Sequence, residues 1–119
     1  MTKQNAFLNS LSEEDRLQAM LVKYVRLQYP SAIILHVPNE GKRTKWENAR
    51  LKYIGVLYGF PDLVLLYKQR TILIELKTAK GKLQDNQTEV HERLTKNGFI
   101  VHIIRDFENG KAIIDLLLN

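Results

Sequence analysis

A chain of 119 residues with 45% hydrophobic and 26% charged side chains has the composition of one soluble globular domain, which excludes two domains of ordinary size and argues against disorder. The absence of cysteine excludes disulfide frameworks and zinc–thiolate sites. A formal charge of +5 is compatible with a polyanionic partner such as nucleic acid and does not require one.

Along the chain, residues 1–11 read as a loose tail ahead of a single domain over 12–119. Ser12 with Asp15 resembles a capping box, and Leu17, Met20, Leu21, Tyr24 and Val25 recur at helical spacing as far as Pro30. Residues 32–37 (AIILHV) predict a short buried strand, and the polar segment 38–43 (PNEGKR) a loop. Thr44 and Glu47 suggest a second capping box for a helix through Trp46, Ala49 and Tyr53, closed by Gly55. Gly59-Phe60-Pro61 is a turn. Residues 63–67 and 71–76 are β-rich runs whose separation by Lys68-Gln69-Arg70 predicts a hairpin. A polar stretch over 78–82 precedes a helix over about 85–97 with Gly98 at its end; residues 99–105 (FIVHIIR) predict a further strand. The segment 109–118 carries Ala112, Ile113, Leu116 and Leu117 at helical spacing. This order implies an α/β fold, a mixed β-sheet flanked by helices. No run is long enough for a signal-peptide core or a bilayer span, so a cytoplasmic protein without a membrane partner is expected.

Chemistry concentrates in Gly59-Phe60-Pro61-Asp62 and in Glu75-Leu76-Lys77. Strand alternation puts Glu75 and Lys77 on one face and Leu76 on the other. If the hairpin turns about the Lys68–Gln69 bond, facing residues have numbers that sum to 137, and Asp62 lies opposite Glu75. A slip of one residue would spoil strict opposition and still leave the two ends adjacent. Two carboxylates gathered in an otherwise apolar hairpin need positive charge nearby. Lys77 supplies one, and Mg²⁺, which takes one or two carboxylates, waters and phosphate oxygens, would supply the rest. Such an ion stabilises charge on an attacked phosphate and acidifies an attacking water. Read alone, Glu75 and Lys77 would pass for an ordinary surface pair. Glu14, at a helix start, would simply favour the macrodipole. Glu14 and Gln18 nevertheless share the apolar stripe of residues 17, 21 and 25, so both face the body of the protein. Beside the other acids, Glu14 becomes a further candidate ligand.

These pieces resemble the VRR-NUC domains, the virus-type replication-repair nucleases of the PD-(D/E)xK superfamily. The matching residues are Glu14-x-x-x-Gln18, the loop Pro38-Asn39-Glu40-Gly41-Lys42-Arg43, Gly55, Gly59-x-Pro61-Asp62, Glu75-x-Lys77, Leu83-x-x-x-Gln87 and Gly98-Phe99. Glu40 departs from the pattern, where a second glycine is frequent. The resemblance implies a restriction-endonuclease-like core, with Asp62, Glu75 and the Leu76 main-chain carbonyl as ligands of Mg²⁺ or Mn²⁺. It implies Lys77 as catalytic lysine, Glu14 as the N-terminal acid and Gln87 as a glutamine that positions water or phosphate; Gln18 and Gly59 would support the site. Stand-alone members of this size look like phage or prophage proteins of the scale of Holliday junction resolvases. The expected activity is therefore endonucleolytic cutting of DNA, branched DNA in particular, by a homodimer.

Asn39, Lys42, Arg43 and Lys45, with Lys80 and Lys82 beyond the active-site strand, are candidates for holding the DNA backbone; any one of them could equally be a plain solvated side chain. His36, His91 and His102 show no ligand spacing and read as structural or surface residues, and Trp46 and Tyr53 as packing groups. No P-loop spacing occurs, so no nucleotide cofactor is expected. The alternatives are a non-catalytic nucleic-acid-binding module on the same fold, a nuclease acting on flap, duplex or other DNA (a sequence-specific restriction endonuclease among them), or one acting on RNA. The intact acids argue against the first, and the short chain leaves little room for a target-recognition domain.

Overall fold

The computed structural model describes residues 2–38 and 43–119. The elements run α1 (Lys3–Ser10), α2 (Glu13–Gln28), β1 (Ile33–His36), α3 (Lys45–Tyr53), β2 (Leu63–Tyr67), β3 (Arg70–Leu76), α4 (Asp85–Lys96), β4 (Val101–Ile104) and α5 (Phe107–Leu118). The sheet order is β1-β2-β3-β4; the first three strands are antiparallel, and β4 joins β3 in parallel. This is the mixed α/β sheet that the sequence implies. No helix among the described residues is long and apolar enough to cross a membrane.

The hairpin between β2 and β3 fixes the register on which the site depends. Lys68 and Gln69 both take positive φ, 48° and 65°, as a two-residue turn of the mirror-image kind requires to match strand twist. Leu63 therefore pairs with Ile74 and Tyr67 with Arg70, the pairing in which residue numbers sum to 137. Leu63, Leu65, Ile72, Ile74 and Leu76 fall on one face, where they pack with Leu17, Leu21 and Val25 of α2 and Ile114 and Leu118 of α5. Glu75 and Lys77 consequently face the opposite side, beneath α4, whose inner residues are Val90 and His91.

Two helices on one face require close approach. Gly110 lies within α5, and a Cβ there would stand 2.8 Å from both Ile104 Cγ2 and Leu21 Cδ2. At the outer end of the same interface, Tyr24 and Tyr29 donate to one oxygen of Asp115, at 2.5 and 2.7 Å. These bonds hold the Asp115 carboxyl below its ordinary range and push Tyr24 up to about 12.

Ser12 and Asp15 form the expected capping box at α2, while at α3 the Thr44 hydroxyl accepts from the Glu47 N–H. Residues 3–10, expected as a loose tail, instead form α1, started by a Thr2 side-chain cap and burying no residue. The strand expected over 99–105 is limited to β4, because the Phe99 N–H is still bonded to the Leu94 carbonyl in the helix exit. Trp46 and Tyr53 are not packing groups: they are 72% and 92% exposed. The Tyr58 hydroxyl donates to Asn48, which turns the Glu47, Asn48 and Leu51 side of α3 towards the protein and leaves the aromatic side in solvent.

Filling the α2–α5 contact tests this packing. Gly110→Val should lower unfolding stability by about 1–3 kcal/mol, the usual range for overpacking a core, seen as a lower urea midpoint. An unchanged midpoint would mean that the helices are not held at this distance.

Candidate active site

Asp62 is fixed by backbone before any chemistry is considered. Gly59 takes φ +91°, and a Cβ on it would lie 2.4 Å from the Asn86 carbonyl oxygen. Only glycine lets the start of α4 close on this turn. Pro61 is buried, and the Asp62 carbonyl accepts from the Val37 N–H at 2.8 Å, with His36 Nδ1 3.0 Å away. Its carboxylate crosses to β3, where Oδ2 accepts from the Leu76 N–H at 2.8 Å. Asp62 is thus tied to both neighbouring strands.

Glu75 is 1% exposed and gripped from α4 on both oxygens. Gln87 Nε2 donates to Oε2 at 3.3 Å, and His91 Nε2 lies 3.1 Å from Oε1. Gln87 Oε1 in turn accepts from the Gln84 N–H at 2.9 Å, so one side chain caps its own helix and holds the acid. Burial pushes the Glu75 carboxyl up to about 9, reinforced by its hydrogen bond with Asp62 and by the charges of Asp62 and Glu14; Lys77 opposes this. Burial first, then the Lys77 charge, lowers the His91 pKa, so a neutral imidazole can present Nε2–H to Glu75. His91 is therefore neither a surface nor a purely structural residue. Its signal was available, since Gln87 and His91 stand four apart on the inner face of α4.

Lys77 is 7% exposed, and its N–H is bonded to the Ile104 carbonyl. Just beyond it, Arg105 Nη1 donates to the carbonyls of Thr78 and Gly81 at 2.7 and 2.6 Å. No local pattern in the sequence signals this clamp on the strand exit, because Arg105 simply ends an apolar run.

Glu14, Phe60, Asp62, Glu75, Lys77 and Gln87 line one cleft of about 310 Å³. A water occupies roughly 30 Å³ in the liquid, so a phosphate group and a hydrated ion fit together. Gln18 is half-buried on α2 and is not among the cleft-lining residues. Lys80 and Lys82 are exposed on the loop after Lys77, Lys45 is exposed at the start of α3, and Arg43 is half-buried. Asn39 and Lys42 lie outside the described residues.

The donor set fits a hard divalent cation. Asp62 and Glu75 crowd each other, and Glu14 adds repulsion, so the metal-free pair retains a proton where isolated carboxylates would be ionised. Among the described residues no three acidic or imidazole side chains form a cage by themselves. An ion that keeps several of its waters, as Mg²⁺ does, suits two carboxylates better than one needing a full protein cage.

A family model for the VRR-NUC domain matches residues 2–106. The chain belongs to the VRR-NUC family. That family is one of PD-(D/E)xK-type nucleases, which implies a divalent metal and a DNA substrate. A solved VRR_NUC domain protein superposes with a TM-score of 0.70 at 24% identity, covering 90% of this chain and 88% of its own. A second, a VRR_NUC domain, gives 0.64 at 20% identity, covering 88% and 97%. Both VRR-NUC structures share the fold, a four-stranded mixed sheet flanked by helices. No curated protein matches the chain.

The crowded carboxyl pair predicts how stability responds to pH and metal. Glu75 is raised from 4.5 to about 9, so across that window the folded metal-free protein holds a proton that the unfolded chain has released. Its stability should fall as pH rises. A divalent cation bound at the pair would displace that proton, so the rise in Tm on adding Mg²⁺ should be larger near pH 8.5 than near pH 5, as read by thermal melts. Equal rises at both would contradict the protonated pair.

Proposed function

We propose that residues 12–119 act as one nuclease domain, a metal-dependent endodeoxyribonuclease that hydrolyses phosphodiester bonds. The observation that carries this reading is the half-buried Asp62 beside the buried Glu75, with Lys77 lining the same cleft. In this reading Asp62 and Glu75, with Glu14 and the Leu76 main-chain carbonyl, would hold Mg²⁺ or Mn²⁺, which would supply charge stabilisation at the attacked phosphate and acidify a bound water. Lys77, kept in place by the β4 backbone and by the loop that Arg105 clamps, aims its ammonium at the attacking water and the phosphate. Gln87 and His91 fix which way the Glu75 carboxylate points. A water oxygen bonds to phosphorus as it gives up a proton, the bond from phosphorus to the 3′ oxygen breaks and that oxygen takes up a proton, and the products carry 5′-phosphate and 3′-hydroxyl ends.

Lys45, Lys80 and Lys82 are exposed and are assigned to the DNA backbone, with Arg43, Asn39 and Lys42 completing the set. The preferred substrate is branched DNA such as a Holliday junction, cut by a homodimer whose two sites serve two symmetric strands. Net charge of +5 supports the polyanionic substrate, and the intact acids support cleavage over binding alone.

The test is a cutting assay on labelled four-way junction, flap and blunt duplex DNA with Mg²⁺, Mn²⁺ or EDTA. Wild-type protein should cut the junction at paired positions only with a divalent ion. Asp62→Ala and Lys77→Ala should lose about 10²–10⁴-fold in rate, as removal of a positioned catalytic group does, with the fold intact by circular dichroism. Full activity in either variant would overturn the assignment, and cutting confined to flap or duplex would remove the junction preference.

A further inference from the structure

Helix α3 is built inside out. Trp46, Ala49, Arg50 and Tyr53 recur at three- and four-residue steps and are all exposed, while the half-buried side is Glu47, Asn48 and Leu51. A surface helix ordinarily turns its largest apolar side chains inward. Here the only tryptophan of the chain is 72% exposed and Tyr53 is 92% exposed, two turns apart with Arg50 between them. Such a face in water marks a surface that meets a partner.

The position of α3 shows which partner it can reach. The chain leaves β1 at Val37 and returns at Asp62, and the N–H of the first is bonded to the carbonyl of the second. The excursion carrying α3 therefore starts and ends at the strand end that bears Asp62, and its return passes through Gly59 and Phe60, which line the cleft. Its charge shows the chemistry. Lys45, Arg50 and Lys52 stand against one acid, Glu47, which is half-buried on the inner side. A two-fold pairing of this face with a second copy would set these cations against their own images. A polyanion meets no such repulsion.

We propose that the outer face of α3 is a platform for unpaired nucleotides of DNA, with Trp46 and Tyr53 stacking on bases and Lys45 and Arg50 holding phosphates, while the Lys52 ammonium lies over the Tyr58 ring at the flank. Aromatic side chains interleaved with cations are the usual means of binding single strands, because every base offers a π-face. In an intact duplex those faces are hidden by neighbouring pairs. The platform thus favours branched DNA, in which bases at the branch point can unpair, over intact duplex. The inference rests on the nuclease reading for the identity of the polymer, and binding can be measured without cutting.

Trp46, the only tryptophan, reports on the platform directly. Full-length wild-type protein in EDTA is titrated with a single-stranded oligonucleotide, with an abasic strand of equal length and with a blunt duplex. The proposal expects strong quenching by the first and little by the other two. It also expects Trp46→Ala and Tyr53→Ala each to bind a labelled single strand roughly tenfold more weakly, with unchanged circular dichroism. No base-dependent quenching, or wild-type affinity in both variants, overturns it. So does quenching that follows protein concentration alone together with a dimer that Trp46→Ala dissociates in sedimentation, which would make this face a contact between copies. Quenching without metal-dependent cutting by the wild type would keep the platform and remove the nuclease reading; cutting without quenching would do the reverse.

Discussion

Two carboxylates held side by side under a helix are an unfavourable arrangement, and most of the architecture on that face of the sheet exists to maintain it. Asp62 and Glu75 share a hydrogen bond and repel as charges, Glu14 adds to the repulsion, and the Lys77 charge opposes it. Burial of charge without compensation costs far more than an ordinary hydrogen bond returns. Such a pair is stable with a proton between its members or with a cation. The first state is inert and the second is what phosphodiester chemistry needs, so the site's resting instability and its proposed activity have one origin.

The fold holds the pair through backbone more than through side-chain packing. The two-residue turn at Lys68 and Gln69 sets the register of β2 and β3, and a slip of one residue would send Glu75 and Lys77 into the α2–α5 core. Parallel pairing of β4 ties the Lys77 N–H to Ile104. Gly59 lets α4 close over the turn before Asp62, which delivers Gln87 and His91 to the two oxygens of Glu75. Sheet, turn and helix therefore converge on a single carboxylate.

Elements with strong local signals were legible in the sequence. Alternation placed Glu75 opposite in sense to Leu76, the arithmetic of the hairpin gave the observed pairing, and the Ser12 box starts α2 as read. What escaped the reading depended on tertiary neighbours. Nothing in the order of residues says that Asn48 meets Tyr58, and that bond decides which side of α3 faces water. Trp46 and Tyr53 have helical spacing whichever way the helix is turned, so periodicity alone favoured burial. His91 is a lone histidine by spacing and becomes part of the site only because α4 crosses β3 at Glu75. Arg105 reaches back across the sheet to carbonyls 24 to 27 residues earlier, a link that no local pattern announces.

The central claim is that a divalent cation belongs between Asp62 and Glu75, and locating that ion tests it most directly. Crystals of the protein grown with Mn²⁺, measured at the manganese absorption edge, should give an anomalous peak in the cleft at the two carboxylates and absent from Asp62→Ala crystals. A cleft without such a peak, with the Lys77 ammonium drawn between the carboxylates in its place, would contradict the account.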